Sequence, residues 1–182
     1  MSSWISGNFW LSLEEMQNNA VLVWNYFKAR GWTLNAVAAM LGNMQSESTI
    51  NPGIWESLEP FDGGYGLVQW TPYTNYSTWA GDGWENNGPK ECERIVWELD
   101  NGVQWYPTEE YSMTFEEFSK STDAVGVLAQ AFLYNYERPK DKSHPWRSTQ
   151  AEYWFEFLGG VPSIPSIPIW LLFKFNKRRF YG

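Results

Sequence analysis

The chain has one cysteine, Cys92, and one histidine, His144. A lone cysteine excludes an internal disulfide framework. Its helical setting reads as a small buried apolar residue, not as the exposed, electropositive site of a reactive thiol. Folding in a reducing compartment is implied. One histidine, beside Pro145 in a loop, is too few for a zinc hydrolase built on a histidine pair. No metal and no cofactor is therefore expected. Basic residues are also scarce, 13 Lys and Arg against 21 Asp and Glu for a net charge of −8, which disfavours nucleic acid and anionic lipid as partners. Long apolar runs are missing too. Met1 to Glu15 lacks a basic leader followed by an apolar stretch, so no signal peptide is expected. Ile169 to Phe175 spans seven residues, where a membrane helix needs about twenty.

What is abundant is aromatic: 13 Trp, 10 Tyr and 11 Phe in 182 residues, more than one core of this size requires. Flat rings with a polar handle suit sugar faces, and they serve equally as extra core filler or a docking patch. The length fits one globular domain.

Local signals outline mostly helices. Ser12 and Glu15 form a capping-box pair ahead of a run to Ala29 with apolar Met16, Ala20, Val23, Trp24 and Phe27. Thr33 caps a second helix whose stripe, Val37, Met40, Leu41 and Met44, is joined by small Ala36, Ala38, Ala39 and Gly42 that permit close contact. That helix runs out at Ser46-Glu47-Ser48 before the Asn51-Pro52-Gly53 turn. The helical period is then lost as far as Trp70, with Gly63-Gly64 suggesting a small β-hairpin. Helix signals return at Thr71-Pro72, at Pro89 to Asp100, at the Thr114 and Glu117 capping pair, at Asp123 to Tyr136 and at Thr149 to Leu158. The fold class is α+β, mostly helical, with one small sheet after the second helix.

The character changes after Gly159-Gly160. Pro162, Pro165 and Pro168 recur every third residue and favour an extended linker over 159–168. Residues 169–182 form an apolar tail with a basic end, in which Lys174, Lys177, Arg178 and Arg179 leave the rest of the chain near −12. It reads as a docking element for a partner protein, with membrane contact not favoured.

Cleaving a glycosidic bond needs a carboxylic acid that stays protonated near neutral pH, hence a pocket that disfavours its charge. Glu47 suits this, following a buried helix and ending it, where the helix dipole also disfavours a carboxylate. From its position alone it reads more readily as a solvated helix-end residue.

The surrounding motifs go further. Gln45-Ser46-Glu47-Ser48 ahead of Asn51-Pro52, then Gly66-Leu67-Val68-Gln69-Trp70, then Tyr134-Asn135-Tyr136, resemble the motifs of soluble lytic transglycosylases and goose-type lysozymes. With Tyr136-Glu137-Arg138-Pro139 and Gln150-Ala151-Glu152-Tyr153-Trp154 added, the stretch from about residue 12 to 158 resembles the phage tail lysozyme family. The resemblance implies a lysozyme-like catalytic domain over 1–158, acting on the glycan strands of peptidoglycan. It makes Glu47 the acid, puts Gln69 and the backbone near Gly66 beside the cleavage site, and offers Tyr65 and Trp70 for sugar contact. Tyr134, Asn135 and Tyr136 would bind N-acetyl groups.

A second carboxylate, base or nucleophile, is expected in Asp62, in the hairpin loop, with Glu137 next; Asp62 reads also as a turn-former before Gly63-Gly64, and Glu137 as a structural partner of Arg138. Related transglycosylases act without one. Three roles follow: a virion tail component that opens the wall during genome delivery, an endolysin that lyses the host, or a catalytically silent tail protein that binds glycan. Docking of the tail on other phage tail proteins fits the first.

Overall fold

The structure, a computed structural model, describes residues 3–57 and 61–159. Of the linker and tail expected at 159–168 and 169–182, only Gly159 is among the described residues.

Helix α1, Leu13–Lys28, opens on the expected capping box: Ser12 Oγ accepts the Glu15 N–H, and the Glu15 carboxylate accepts the Ser12 N–H at 2.8 Å. Two donors that a helix start leaves stranded are thereby satisfied. Thr33 caps α2, Leu34–Ser48, by accepting the Ala36 N–H at 3.1 Å. Every residue of α2 from Ala36 to Ser48 is buried, so this helix is the axis of the molecule.

Around α2 lie α1, α5 (Phe115–Lys120, with its Thr114–Glu117 capping box), α6 (Val125–Phe132) and α7 (Trp146–Gly159). Its most extensive partner is α7. The reason is Gly42, where a Cβ would lie 2.6 Å from the Arg147 carbonyl oxygen and 2.7 Å from the Ala151 nitrogen. Helix α4, Gly88–Asp100, follows an Asn87 cap and buries Cys92 and Ile95.

Three helix boundaries differ from expectation. Thr71 does not cap the next helix; its hydroxyl donates to the Gln69 carbonyl at 3.0 Å, and α3, Thr74–Ala80, starts beyond a cis Thr71–Pro72 bond. The helix expected over Asp123 to Tyr136 is α6 followed by one π-helical turn, Leu133–Glu137, which stops at Arg138 with φ 50°. Helix α7 begins at Trp146, ahead of the expected Thr149.

The hairpin pairs β1, Trp55–Ser57, with β2, Asp62–Tyr65, antiparallel. Trp55 faces Tyr65 and Ser57 faces Asp62, so Gly63 and Gly64 together oppose Glu56 in a bulge. The glycines were expected in a turn with Asp62 in the loop. They lie inside β2, and Asp62 opens that strand. Residues 58–60, between the strands, are outside the described set. The chain then turns tightly from Tyr65 to Trp70, which exchange backbone hydrogen bonds.

Much of the aromatic excess is core. Trp105 stacks on Phe115 with centroids 4.7 Å apart, and Phe132 on Tyr136 at 4.4 Å. A second cluster, Trp55, Tyr65, Tyr73, Tyr76 and Trp84, fills the space beneath the hairpin. The architecture is the expected one, α+β and mostly helical with a hairpin after the second helix. Among the described residues no helix is long and apolar enough to cross a membrane.

Candidate active site

The last turns of α2 are held on two sides, because Gln45, Ser46 and Glu47 find partners on α7 and Ser48 finds one in the hairpin region. Gln45 Oε1 accepts the Trp154 indole N–H at 2.9 Å, and Ser46 Oγ donates to Gln150 Oε1 at 2.6 Å. Ser48 Oγ donates to the Met44 and Leu67 carbonyls, tying the helix end to the hairpin region. Glu47 Oε1 accepts from Arg147 Nη2 at 2.5 Å. Residues 147, 150 and 154 recur at helical spacing, so one face of α7 grips the end of α2.

Glu47, 9% exposed, lies at the edge of a cavity of about 520 Å³ between the helices and the hairpin. Gln69 and Trp70 line the same cavity, as do Glu137 and Glu56. Gln69 sits at φ 52° in the tight turn, and its side-chain amide donates to the Ile54 and Gly66 carbonyls, both at 3.1 Å. Its amide therefore locks the turn to the residue just ahead of β1. Glu56 reaches the cavity because β2 carries no side chain opposite it: a Cβ on Gly63 would lie 2.4 Å from Glu56 Oε2. The same oxygen accepts the Gly64 N–H at 2.8 Å.

The other expected site residues do not line this cavity. Asp62 is exposed at the outer end of β2, and its carboxylate accepts the adjacent Gly63 N–H at 2.7 Å. Tyr65 is buried, its hydroxyl accepting the Asn86 N–H at 2.7 Å. Tyr136 is buried with its hydroxyl donating to Glu98 Oε2 at 2.5 Å. Asn135, also buried, accepts from the Thr108 N–H and hydroxyl and donates to the Tyr111 carbonyl at 2.8 Å, which latches the 108–111 loop. Tyr134 stands edge-on to Tyr111 with Lys142 Nζ 4.3 Å from its ring centre. Among the described residues no group of three His, Cys, Asp or Glu side chains is placed to hold a metal ion.

Comparison with known proteins places the chain in a family. The family model for phage tail lysozyme matches residues 18–158, a span that holds every residue of the cavity. The chain belongs to the phage tail lysozyme family. It is also similar to morphogenesis protein 1 of Bacillus phage B103, 50% identical over 166 residues that cover 87% of this chain and 44% of the relative. The chain thus spans less than half the length of that curated relative.

Three functional candidates escaped the reading of the sequence. Glu56 gave no signal because its stretch had no clear period. Arg147 lay ahead of the assumed start of α7, although its spacing to Gln150 and Trp154 placed it on a helix face. Glu98 sits inside the apolar pattern of α4 and is a buried hub: it accepts from Trp70 Nε1 at 2.8 Å, Arg94 Nε at 2.9 Å and the Tyr136 hydroxyl. Burial pushes its carboxyl above the usual range, against the pull of the Tyr136, Arg94 and Trp70 contacts. Trp70, a cavity residue, is held by this hub through its indole N–H.

Proposed function

We propose that this phage lysozyme-like protein is a muramidase-type glycosidase, carried in the virion tail, that cleaves peptidoglycan glycan strands to open the wall during genome delivery. The observation that carries the reading is a buried glutamate on a rigid helix end, opening onto a polar cavity whose lining holds two further carboxylates, Glu56 and Glu137. Glu47 donates the proton to the leaving glycosidic oxygen. Glu56 takes the part expected of Asp62, positioning or deprotonating the water, because it lines the cavity with one oxygen fixed by the Gly64 N–H, whereas Asp62 lies outside; Glu137, on the same cavity, stays the next choice. Gln69 and the turn from Gly66 form the floor on which the sugar rests, and Trp70 supplies an apolar surface. Tyr65, Tyr134, Asn135 and Tyr136 act at one remove, holding the walls of the cleft.

Support for a role in the particle comes from the family, whose members are tail lysozymes, and from the similar protein's designation as a morphogenesis protein. Residues 169–182 would dock on other tail proteins. The test of the activity is mass spectrometry of purified cell walls digested by the protein. Hydrolysis yields fragments with a new reducing-end sugar, one water heavier than the anhydro-sugar left by transglycosylation. Fragments cut only in the peptides would overturn the glycosidase reading.

A further inference from the structure

We infer that Arg147, itself fixed by Asn43, is the positioning residue of Glu47 and sets the pH range over which Glu47 delivers its proton. This rests on the proposed glycosidase reading. Arg147 is 2% exposed, and its guanidinium divides between two residues one turn apart on α2: Nη1 donates to Asn43 Oδ1 at 2.9 Å and Nη2 to Glu47 Oε1 at 2.5 Å. Asn43 is in turn immobilised, its amide donating to the Ala39 and Ala129 carbonyls, both at 3.0 Å. The chain of contacts from α6 through Asn43 and Arg147 to Glu47 therefore fixes one carboxyl oxygen of the acid.

A carboxyl so placed feels opposed influences. Burial and the C-terminal end of α2 disfavour its charge, whereas the guanidinium favours it. Other charged groups reach the same region: Glu56 from β1, Glu137 and Arg138 from the end of the π turn, and Lys140 beyond it. His144, buried and just ahead of α7, interacts with both Arg147 and Glu47. Arg147 differs from the cavity cations in being held out of solvent, which weakens screening of its charge.

A general acid works only while protonated, so its activity falls as pH rises past the point where it ionises. Removing the adjacent cation moves that point upward. The test uses the full chain and follows wall cleavage against pH. In Arg147→Met the alkaline limb of kcat/KM is expected to move up by about one pH unit, the scale of one adjacent opposite charge. In Arg147→Lys the limb stays in place while kcat falls about tenfold, because the charge is kept and the two-pronged grip is lost. Arg147→Gln, which keeps a donor and removes the charge, repeats the Met comparison should Met impair folding. Carbon-13 NMR titration of the Glu47 carboxyl in the same proteins reads the effect without activity. An alkaline limb and a Glu47 midpoint both unchanged in a folded, uncharged variant would overturn the inference. Wild-type protein that cleaves no glycan would overturn the functional reading instead, and the NMR midpoints would still decide the role of Arg147.

Discussion

Gly42 and Ala151 meet backbone to backbone: a Cβ on Gly42 would stand 2.7 Å from the Ala151 nitrogen and 2.8 Å from the Ala151 Cβ. This contact brings α7 close enough for Arg147 to bridge Asn43 and Glu47, and for Gln150 to reach Ser46. The glycine therefore works as a spacer for the acid as well as for the core.

Gly42→Ala is expected to lower stability by about 1–3 kcal/mol, the usual effect of overpacking, which corresponds to roughly 2–12 °C in Tm for a domain of this size. Calorimetry checks it. The same variant should lose wall-cleaving activity at temperatures well below its melting point, since α7 must move away from α2 and draw Arg147 with it. Full activity in a destabilised variant would show that the helix spacing serves the core alone.

How much of this was legible beforehand follows from the kind of signal each residue carries. Capping at Ser12, Thr33 and Thr114 is local chemistry, and those helices start where the sequence places them. The burial of α2 follows from its run of small and apolar residues. Glu47 and Gln69 were found through motifs and do line one cavity. What the sequence did not show was long-range. Asp62 looked like a loop carboxylate because Gly63-Gly64 looked like a turn, yet those glycines serve the Glu56 side chain on the neighbouring strand. Tyr134-Asn135-Tyr136 was read as substrate-binding. Two of its three side chains are buried, satisfied by Thr108, Tyr111 and Glu98, partners that are 24 to 38 residues away in sequence. No periodicity reports such pairings.

The assignment of the two carboxylates makes opposite predictions for neighbouring residues. Glu47→Gln keeps the shape of the acid and removes its transferable proton, so the rate of turbidity loss of purified walls should fall at least about a hundredfold with Tm little changed. Glu56→Gln should fall on a similar scale if that carboxylate activates water. Asp62→Asn, outside the cavity, should stay within about twofold of wild type, as surface changes usually do. A large loss in Asp62→Asn with normal Glu56→Gln activity would return the second role to Asp62.

Glu91 provides a prediction in which pH enters through stability. It is wholly buried beneath the turn that carries Gln69, its Oε2 accepting the Leu67 N–H at 2.7 Å, and Gly66 must lack a Cβ because one would lie 2.4 Å from that oxygen. Burial pushes the carboxyl well above its ordinary value of 4.5, only partly opposed by the Leu67 N–H. The folded protein thus keeps this proton to higher pH than the unfolded chain does. Its stabilising contribution is complete below the unfolded value and is lost as pH rises through the folded one. Glu91→Gln keeps an acceptor for Leu67 and cannot ionise, so the variant should escape that loss. The quantity to measure is Tm of Glu91→Gln minus Tm of wild type at several pH values, expected to increase between about pH 5 and about pH 8. Glu98, raised in the same direction by burial, and His144, lowered by burial so that its contribution is lost as pH falls, are present in both proteins and cancel in the difference. A difference that stays flat would mean that Glu91 holds its proton equally in the folded and unfolded chain, and that the turn bearing Gln69 rests on an ionised carboxylate.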